Sequence, residues 1–542
     1  MSTEGPRTEM SWSAWGDPDA AAPLPDAVVE LLGAGLGVKR PGVRAGEIAA
    51  VRLPVSRLAD TLRSTLASAV GGDNVLEDAE TRVRHTRGKS TPDLLRLRSG
   101  EADDAPDAIV LPGSHDEVMA ILRACAEEKV AVVPFGGGTS VVGGLTPRRE
   151  GFAAVVALDT RRMNQLVEVD EESRTATFEP GLLGPEAEAL LSEHGYTIGH
   201  HPQSFEYATI GGFAAARSSG QASAGYGRFD EMVVALRVAT PAGELDLGRA
   251  PKSAAGPDLR QLILGSEGAL GVITSVTVKI HPTPAERVYE GWRFGSFSDG
   301  AAALRRLIQD GPVPTVLRLS DEAETALNLA RPTEIGSGAS EGCLGIAGFE
   351  GTAADVAARR EGATAVLAEA GGESVGTEAG ESWVHGRYRG PYLRDAMLDA
   401  GALVETLETT TFWSKIPDLY EGVGDALRSS LSDQGTPPIV LCHISHVYPT
   451  GASLYFTVAA AQTDDPIAQW WQAKSAACDA ILAAGGSITH HHAIGTDHRD
   501  WYEREVGPLA IEALQAVKAR LDPGGIMNPG VLIPEAAAPR IE

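Results

Sequence analysis

The residues best suited to chemistry lie far apart in the sequence. Tyr455 sits in SLYFTV, an alternating run that reads as a buried strand. A phenol has a reference pKa near ~10, so Tyr455 would take a proton at neutral pH only if nearby cations or donors lowered that value. Without such neighbours it reads as a core tyrosine with a bonded hydroxyl. His490, His491 and His492 follow one another in SITHHHAIG. In extended chain His490 and His492 would point one way and His491 the other, unless the backbone bends. The apolar residues around them favour burial over a solvated run. Arg394, in the aromatic-rich YRGPYLRD, has the permanent charge and forked donors that suit a phosphate, and equally suits an ordinary helix surface. Residues 134–144, PFGGGTSVVGG, are a candidate phosphate cradle. Three glycines remove every Cβ from the turn and permit φ > 0, so backbone N–H groups can approach an anion. Thr139 and Ser140 add hydroxyl donors. Alone, the loop reads equally well as a tight turn.

The elements around these residues divide into two textures. From Asp107, AIVLP reads as a strand and HDEVMAILRACAEEK as an amphipathic helix capped by Ser114, followed by the strand VAVVP. The glycine loop therefore follows a strand–helix–strand unit. Short strands with charged turns come next, then a helix ending at Gly195. The small-residue stretch 202–227, PQSFEYATIGGFAAARSSGQASAGYG, would let a planar or extended ligand lie close to backbone. A hairpin through Pro241-Ala242-Gly243 precedes a third glycine-rich segment, GSEGALGVI. Beyond Pro282 and Pro284, strands and helices alternate without long parallel units. That pattern predicts an antiparallel sheet with helices on one face. Residues 371–381 read as a loop, and 322–330 and the segment around WVHGRYRGPYLRDAML as helical.

Composition narrows the class. The 542 residues exceed one domain of ~150 residues. The net charge of −27 argues against a nucleic-acid partner, because phosphate neutralisation needs clustered Lys and Arg. The four cysteines show no CxxC spacing, which fits a reduced compartment and excludes a zinc knuckle. The polar N-terminus has no secretory h-region, and no apolar run is long enough to span a membrane. With a bias toward Ala, Gly, Arg and Asp, the expectation is a bacterial cytoplasmic protein.

Taken together, PFGGGTS, SFEYATIGG, RSSG, DEMV, GPDL, GSEGALGVIT, YLRD, LYF and GGSITHHHAIG resemble the vanillyl-alcohol oxidase/p-cresol methylhydroxylase flavoprotein superfamily. Within it they look most like the alkyldihydroxyacetonephosphate synthase family. The resemblance runs from Ser11 to Gly530 and implies an α+β protein. Its parts would be a helical, wrapping segment (1–100), a two-part FAD-binding domain of the p-cresol methylhydroxylase type (101–282), a substrate or cap domain with an antiparallel sheet (283–495), and a C-terminal segment returning to the FAD domain (496–542).

The resemblance implies FAD as cofactor. Pro134, Phe135, Gly136, Gly137, Gly138, Thr139 and Ser140 would hold the pyrophosphate. Gln203, Ser204, Phe205, Glu206, Tyr207, Ala208 and Thr209 would line flavin and adenine, with Ala216, Arg217, Ser218 and Ser219, and with Glu267, Gly268, Ala269, Leu270, Gly271, Val272 and Ile273. Tyr455 would be the acid/base, Arg394 the phosphate ligand with Arg318 beside it, and His490, His491 and His492 members of the active site. The implied reaction exchanges the acyl group of acyl-dihydroxyacetone phosphate for a long-chain alcohol, with the flavin N5 as covalent nucleophile and no net redox change. A lipid-phosphate substrate, a homodimer and peripheral membrane contact complete the expectation.

Flavin 2-hydroxyacid dehydrogenases share the plan but carry two histidines and a glutamate for a metal. Here His446 falls at the first histidine, Tyr455 at the second and His491 at the glutamate, so no metal is expected. A dehydrogenase of that kind and a non-catalytic flavin-binding protein remain as alternatives.

Overall fold

The structure is a computed structural model and describes residues 9–328 and 341–534. Residues 1–8 of the expected wrapping segment and 535–542 of the expected returning tail lie outside the described residues. The short apolar runs form strands. β1 (Val75–Leu76), β2 (Ala108–Val110), β3 (Ala131–Phe135) and β4 (Val155–Asp159) make a sheet in the order β1-β2-β4-β3. β2, β4 and β3 are parallel and almost wholly buried, which is why they read as unbroken apolar runs. The helix His115–Glu127 makes the crossover, and Ser114 Oγ accepts the N–H of Glu117 at 3.2 Å. The strand–helix–strand unit is thus present, and the glycine loop leaves its carboxyl end.

β5 (Leu166–Asp170), β6 (Thr175–Phe178), β8 (Val233–Thr240), β9 (Gly243–Leu247) and β10 (Val272–Lys279) form an antiparallel sheet in the order β5-β6-β10-β8-β9, and the short β7 (Tyr196–Thr197) pairs with β11 (His281–Pro282). The expected hairpin is the β8–β9 pair. The C-terminal segment returns to β3: Val132 N–H donates to the Ile526 carbonyl and Asn528 N–H to the Val132 carbonyl, both at 2.8 Å.

The remaining strands are β12 (Glu286–Phe294), β13 (Val316–Ser320), β14 (Cys343–Gly351), β15 (Glu373–Gly376), β16 (Ala402–Phe412), β17 (Ile439–Val447) and β18 (Gly451–Ala461). They form one antiparallel sheet in the order β15-β12-β14-β13-β17-β18-β16. The helices Phe297–Asp310, Ala353–Glu369, Ile416–Asp433 and Pro466–Ala483 share one apolar core with one face of it, through residues such as Leu319, Phe349, Leu407 and Phe456.

Three sequence readings change. Part of the expected loop 371–381 is the edge strand β15; its four exposed residues carry no burial pattern, and only backbone pairing to β12 makes it a strand. The helical segment near residue 390 is two helices, Glu378–Gly386 and Gly390–Ala400, the second begun by Pro391, whose missing N–H is no loss in a first turn. The helix expected over 322–330 is seen as Glu322–Ala326, and 329 and 330 lie outside the described residues.

Candidate active site

Strand register assembles the site. Side chains alternate along a strand, so directly paired residues share a face. Glu408 on β16 pairs with Tyr455 on β18, Tyr455 with His443 on β17, and His443 with Ser320 on β13. One row across the sheet therefore reads Glu408, Tyr455, His443, Ser320, on the face opposite the helix-covered core. The next row toward the open end is Thr406, Thr457, Leu441. A register shift between Ile444 and His446 sets His446, rather than Ser445, opposite Ser453. A bulge of this kind re-aims a side chain beside a site.

The histidine run bends around one carboxylate. Glu408 is buried and accepts the backbone N–H of His490 at 2.5 Å, of His491 at 3.1 Å and of His492 at 2.8 Å, together with the Thr489 hydroxyl. Burial works against its ionised form, but the facing imidazoles of His491, His492 and His490 and the Thr489 hydroxyl hold its pKa well below the usual carboxylate range. The bend lets all three rings gather, which an extended segment would forbid. His492 lies edge-on to Tyr455 at 5.6 Å and His491 near-parallel to it at 6.2 Å. The His490 ring turns away: its Nε2 meets the Tyr448 hydroxyl at 2.7 Å and its Nδ1 the Nδ1 of His491 at 2.9 Å. Burial lowers the pKa of every ring in the group, that of His491 to about 4.

Tyr455 does not meet the condition set for proton uptake at neutral pH, a lowered phenol pKa. Burial pushes it up to about 12; a bond to Thr406 and the charge of Arg394 pull the other way and lose. At neutral pH it is a phenol, a proton donor first.

Arg394 lies in the helix Gly390–Ala400, where its Nε donates to Asp395 at 2.9 Å and its Nη1 to the Lys89 carbonyl at 2.7 Å. The N-terminal strap locks this helix: Trp15 N–H donates to Asp395, Asp17 N–H to the Tyr392 hydroxyl, and Lys89 and Arg98 hold the carbonyls of Ser11, Trp12 and Ser13. Arg318 is fixed by an ion pair to Glu324, while its Nε is buried without a protein partner among the described residues.

The three glycine-rich segments converge. A Cβ on Gly136 would meet the Thr209 hydroxyl and one on Gly137 the Tyr207 carbonyl. The loop 134–140 therefore packs backbone to backbone on 207–209, and only glycine fits. The Glu267 carboxylate accepts the N–H of Ile494 at 3.0 Å and of Gly495 at 2.9 Å, and Asn528 Nδ2 bridges the carbonyls of Gly144 and Glu267. Burial raises Glu267 to about 7.

One cavity of about 850 Å³ joins these parts, a size at the upper end for small-molecule and cofactor sites. It is lined by 134–140, Gln203, Ser204, Ala208, Thr209, Ala216, Ser218, Ser219, Glu267, Gly268 and 271–273. Arg318, Arg394, Tyr455, His491 and His492 also line it. The other named residues stand behind the wall. Phe205 stacks on Tyr388, Tyr207 bonds Tyr392, and Arg217 pairs with Asp230. Glu206 is exposed, Ala269 and Leu270 are buried in the core, and His490 faces Tyr448. Sequence reasoning missed His443, Glu324 and Glu408. The charged residue inside the strand run TLETTTF was the one available signal for Glu408. His446, named only as a metal position, joins His490 and His491 in offering three ring nitrogens within 4.8 Å of one another, a candidate metal group among the described residues.

Comparison with known proteins decides the family. Two family models match: FAD binding domain over residues 106–247 and FAD linked oxidases, C-terminal domain over 283–532. The alkyldihydroxyacetonephosphate synthase of Trypanosoma brucei brucei is 34% identical over 97% of this chain and 92% of its own length. The chain belongs to the alkyldihydroxyacetonephosphate synthase family of FAD-linked oxidases.

A solved structure of alkyldihydroxyacetonephosphate synthase superposes with a TM-score of 0.81 at 30% identity, covering 96% of this chain and 98% of that one. p-Cresol methylhydroxylase, at 17% identity and a TM-score of 0.67 over 87% of this chain and 96% of its own, shares the fold. The family is one of FAD enzymes, and the residues present fit that cofactor. The Cβ-free loop 136–138 offers backbone N–H groups to a pyrophosphate, and the small residues Ala208, Ala216 and Ser218 line the same chamber.

Proposed function

We propose that this enzyme exchanges the acyl group of acyl-dihydroxyacetone phosphate for a long-chain alcohol, releasing a fatty acid and leaving an ether-linked phosphate. One observation carries the reading beyond family membership. The cavity lined by Arg318, Arg394 and Tyr455 is lined also by Ala22, Leu24, Val28, Leu31, Leu36 and Met397. A cationic pair and a long apolar wall in one chamber suit a phosphate joined to a hydrocarbon chain.

On this reading Arg394 and Arg318 bind the phosphate, and the fixed guanidinium forks orient the three-carbon skeleton toward Tyr455. Tyr455 moves the proton on the carbon that bears the ester. Since it begins as a phenol, it accepts that proton only after passing its own to a neutral imidazole, and His491 and His492 are at hand. The apolar wall excludes water, which limits hydrolysis of the ester. FAD, held by 134–140, 203–209, 216–219 and 267–273, supplies the nucleophilic N5 when bound. Of the described residues, 101–282 with 496–534 form the cofactor domain and 283–328 with 341–495 the cap. A cytoplasmic homodimer that touches a membrane surface completes the proposal; among the described residues no helix is long and apolar enough to cross one.

The test is direct. Purified yellow protein is incubated anaerobically with acyl-dihydroxyacetone phosphate and a labelled long-chain alcohol. A labelled product that retains phosphate, with a free fatty acid released, is expected. Bleaching of the flavin by D-lactate or D-2-hydroxyglutarate, with no labelled ether formed, would overturn the reading in favour of a dehydrogenase.

A further inference from the structure

Glu324 sits fully buried behind the cavity wall and divides its two oxygens. Oε1 takes the Arg318 guanidinium and, at 2.8 Å, the Ser320 hydroxyl; Oε2 meets His443 Nδ1 at 2.8 Å. Burial would protonate this carboxyl, but His443 and Arg318 outweigh it and hold its pKa near 2. An ionised carboxylate only accepts, so Nδ1 of His443 carries the hydrogen. Burial keeps the ring neutral at rest. Nε2 is then a lone pair, with no protein partner among the described residues. The His443 ring lies parallel to Tyr455, 5.0 Å between centroids and 18° between planes, and both line the cavity. Among the described residues no other cavity histidine has a buried carboxylate hydrogen-bonded to its Nδ1: His385 is exposed and its Nδ1 meets the Glu381 carbonyl at 2.7 Å. His491 and His492 lie 3.5 and 3.9 Å from Glu408, whose oxygens already accept three backbone N–H groups, and His446 Nδ1 faces the hydroxyls of Ser445 and Ser453.

We propose that His443 is the base that takes the proton of the incoming alcohol, with Glu324 as the residue that positions it. This rests on the exchange reaction proposed above. The alcohol O–H bond breaks, its proton goes to His443 Nε2, and its oxygen forms the new C–O bond to the skeleton carbon whose bond to the acyloxy oxygen is broken, the carboxylate leaving with that electron pair. Nδ1–H stays on Glu324, whose charge stabilises the imidazolium. Over a turnover that proton leaves with the fatty acid, and no oxidant or reductant is consumed. Glu324 also ties this base to Arg318, so the phosphate ligand and the alcohol's proton acceptor keep a fixed separation.

The experiment compares a long-chain alkanol with its 2,2-difluoro analogue, whose hydroxyl is more acidic, in the flavin-loaded wild type, His443→Gln and Glu324→Gln. With the alkanol, His443→Gln should lower kcat by ~10²-fold, a usual size for losing a general base. With the difluoroalkanol the loss should shrink to below ~10-fold, because an acidic hydroxyl needs less help. Glu324→Gln should show the same ratio on a smaller scale. An equal loss with both alcohols, or no loss, would overturn the proposal, since a packing role is blind to alcohol acidity. Should His443→Gln fail to retain flavin, the ratio for Glu324→Gln decides. A wild type that makes no ether from either alcohol would overturn the exchange reaction itself, which is a separate outcome.

Discussion

Glu408 and Tyr455 stand directly opposite one another on neighbouring antiparallel strands, and each reaches the histidine loop from below, Glu408 through backbone N–H groups and Tyr455 through the rings. Position along two strands therefore sets both the phenol and the bend that brings imidazoles to it.

Replacing Glu408 by Ala should unseat that bend. Three backbone N–H groups lose their acceptor in a buried place, at about 1–3 kcal/mol each where water cannot reach them. A fall in melting temperature, with loss of activity while the flavin spectrum stays, is expected by thermal unfolding of the holoprotein. The sign with pH follows from the depressed pKa of Glu408. Its contribution is present above the unfolded carboxyl value and is lost as pH falls through the folded one. The wild type should therefore lose its advantage over Glu408→Gln on acidification below about pH 4.

Tyr455→Phe keeps the ring and removes the proton. Folding and flavin content should match the wild type, with kcat reduced by ~10²–10⁴-fold. Steady-state kinetics beside an absorbance spectrum check this. Equal turnover in the variant would remove Tyr455 from the chemistry.

Gly137→Ala drives a methyl into the Tyr207 carbonyl. The loop must then lift from residues 207–209. Purified variant should carry much less FAD than the wild type, measured as the ratio of flavin to protein absorbance, whereas Gly151→Ala, with nothing near its Cβ but φ at +83°, should keep the cofactor and lose only some stability.

Glu267 links cofactor retention to pH. Its carboxyl, raised to about 7 by burial, lies against the loop that would hold the pyrophosphate. A raised carboxyl stabilises below the unfolded value, and that stabilisation is lost as pH rises through about 7. FAD release, followed by fluorescence, should increase between about pH 6 and 8, and Glu267→Gln should flatten the dependence.

Much of the cofactor half was legible because its signals are local. A glycine triplet after a buried strand reports close backbone approach whatever surrounds it, and Ser114 caps the helix that its neighbours announce. The site in the cap domain was legible only in part. Tyr455 and the histidine run are visible as residue types, but the row joining Glu408, Tyr455 and His443 depends on which strands pair and in what register, and the hold of Glu408 on the histidine loop joins residues 81 apart, as with Thr489 and Glu408. A single bulge after Ile444 decides that His446 faces inward, and no residue type announces it. The direction of the Tyr455 pKa was open in the sequence because burial, which a sequence does not display, outweighs the charges that a sequence does.

The seven-stranded sheet keeps its two faces for different work. Along β18, Leu454, Phe456 and Val458 enter the helix-covered core while Tyr455, Thr457 and Ala459 line the chamber, and β16 and β17 alternate likewise up to the bulge. Every second position is thus editable almost independently of the next. New specificity can be written on the chamber side without disturbing the packing that keeps the sheet standing, so such a scaffold can change its trade while its core sequence drifts on a separate clock.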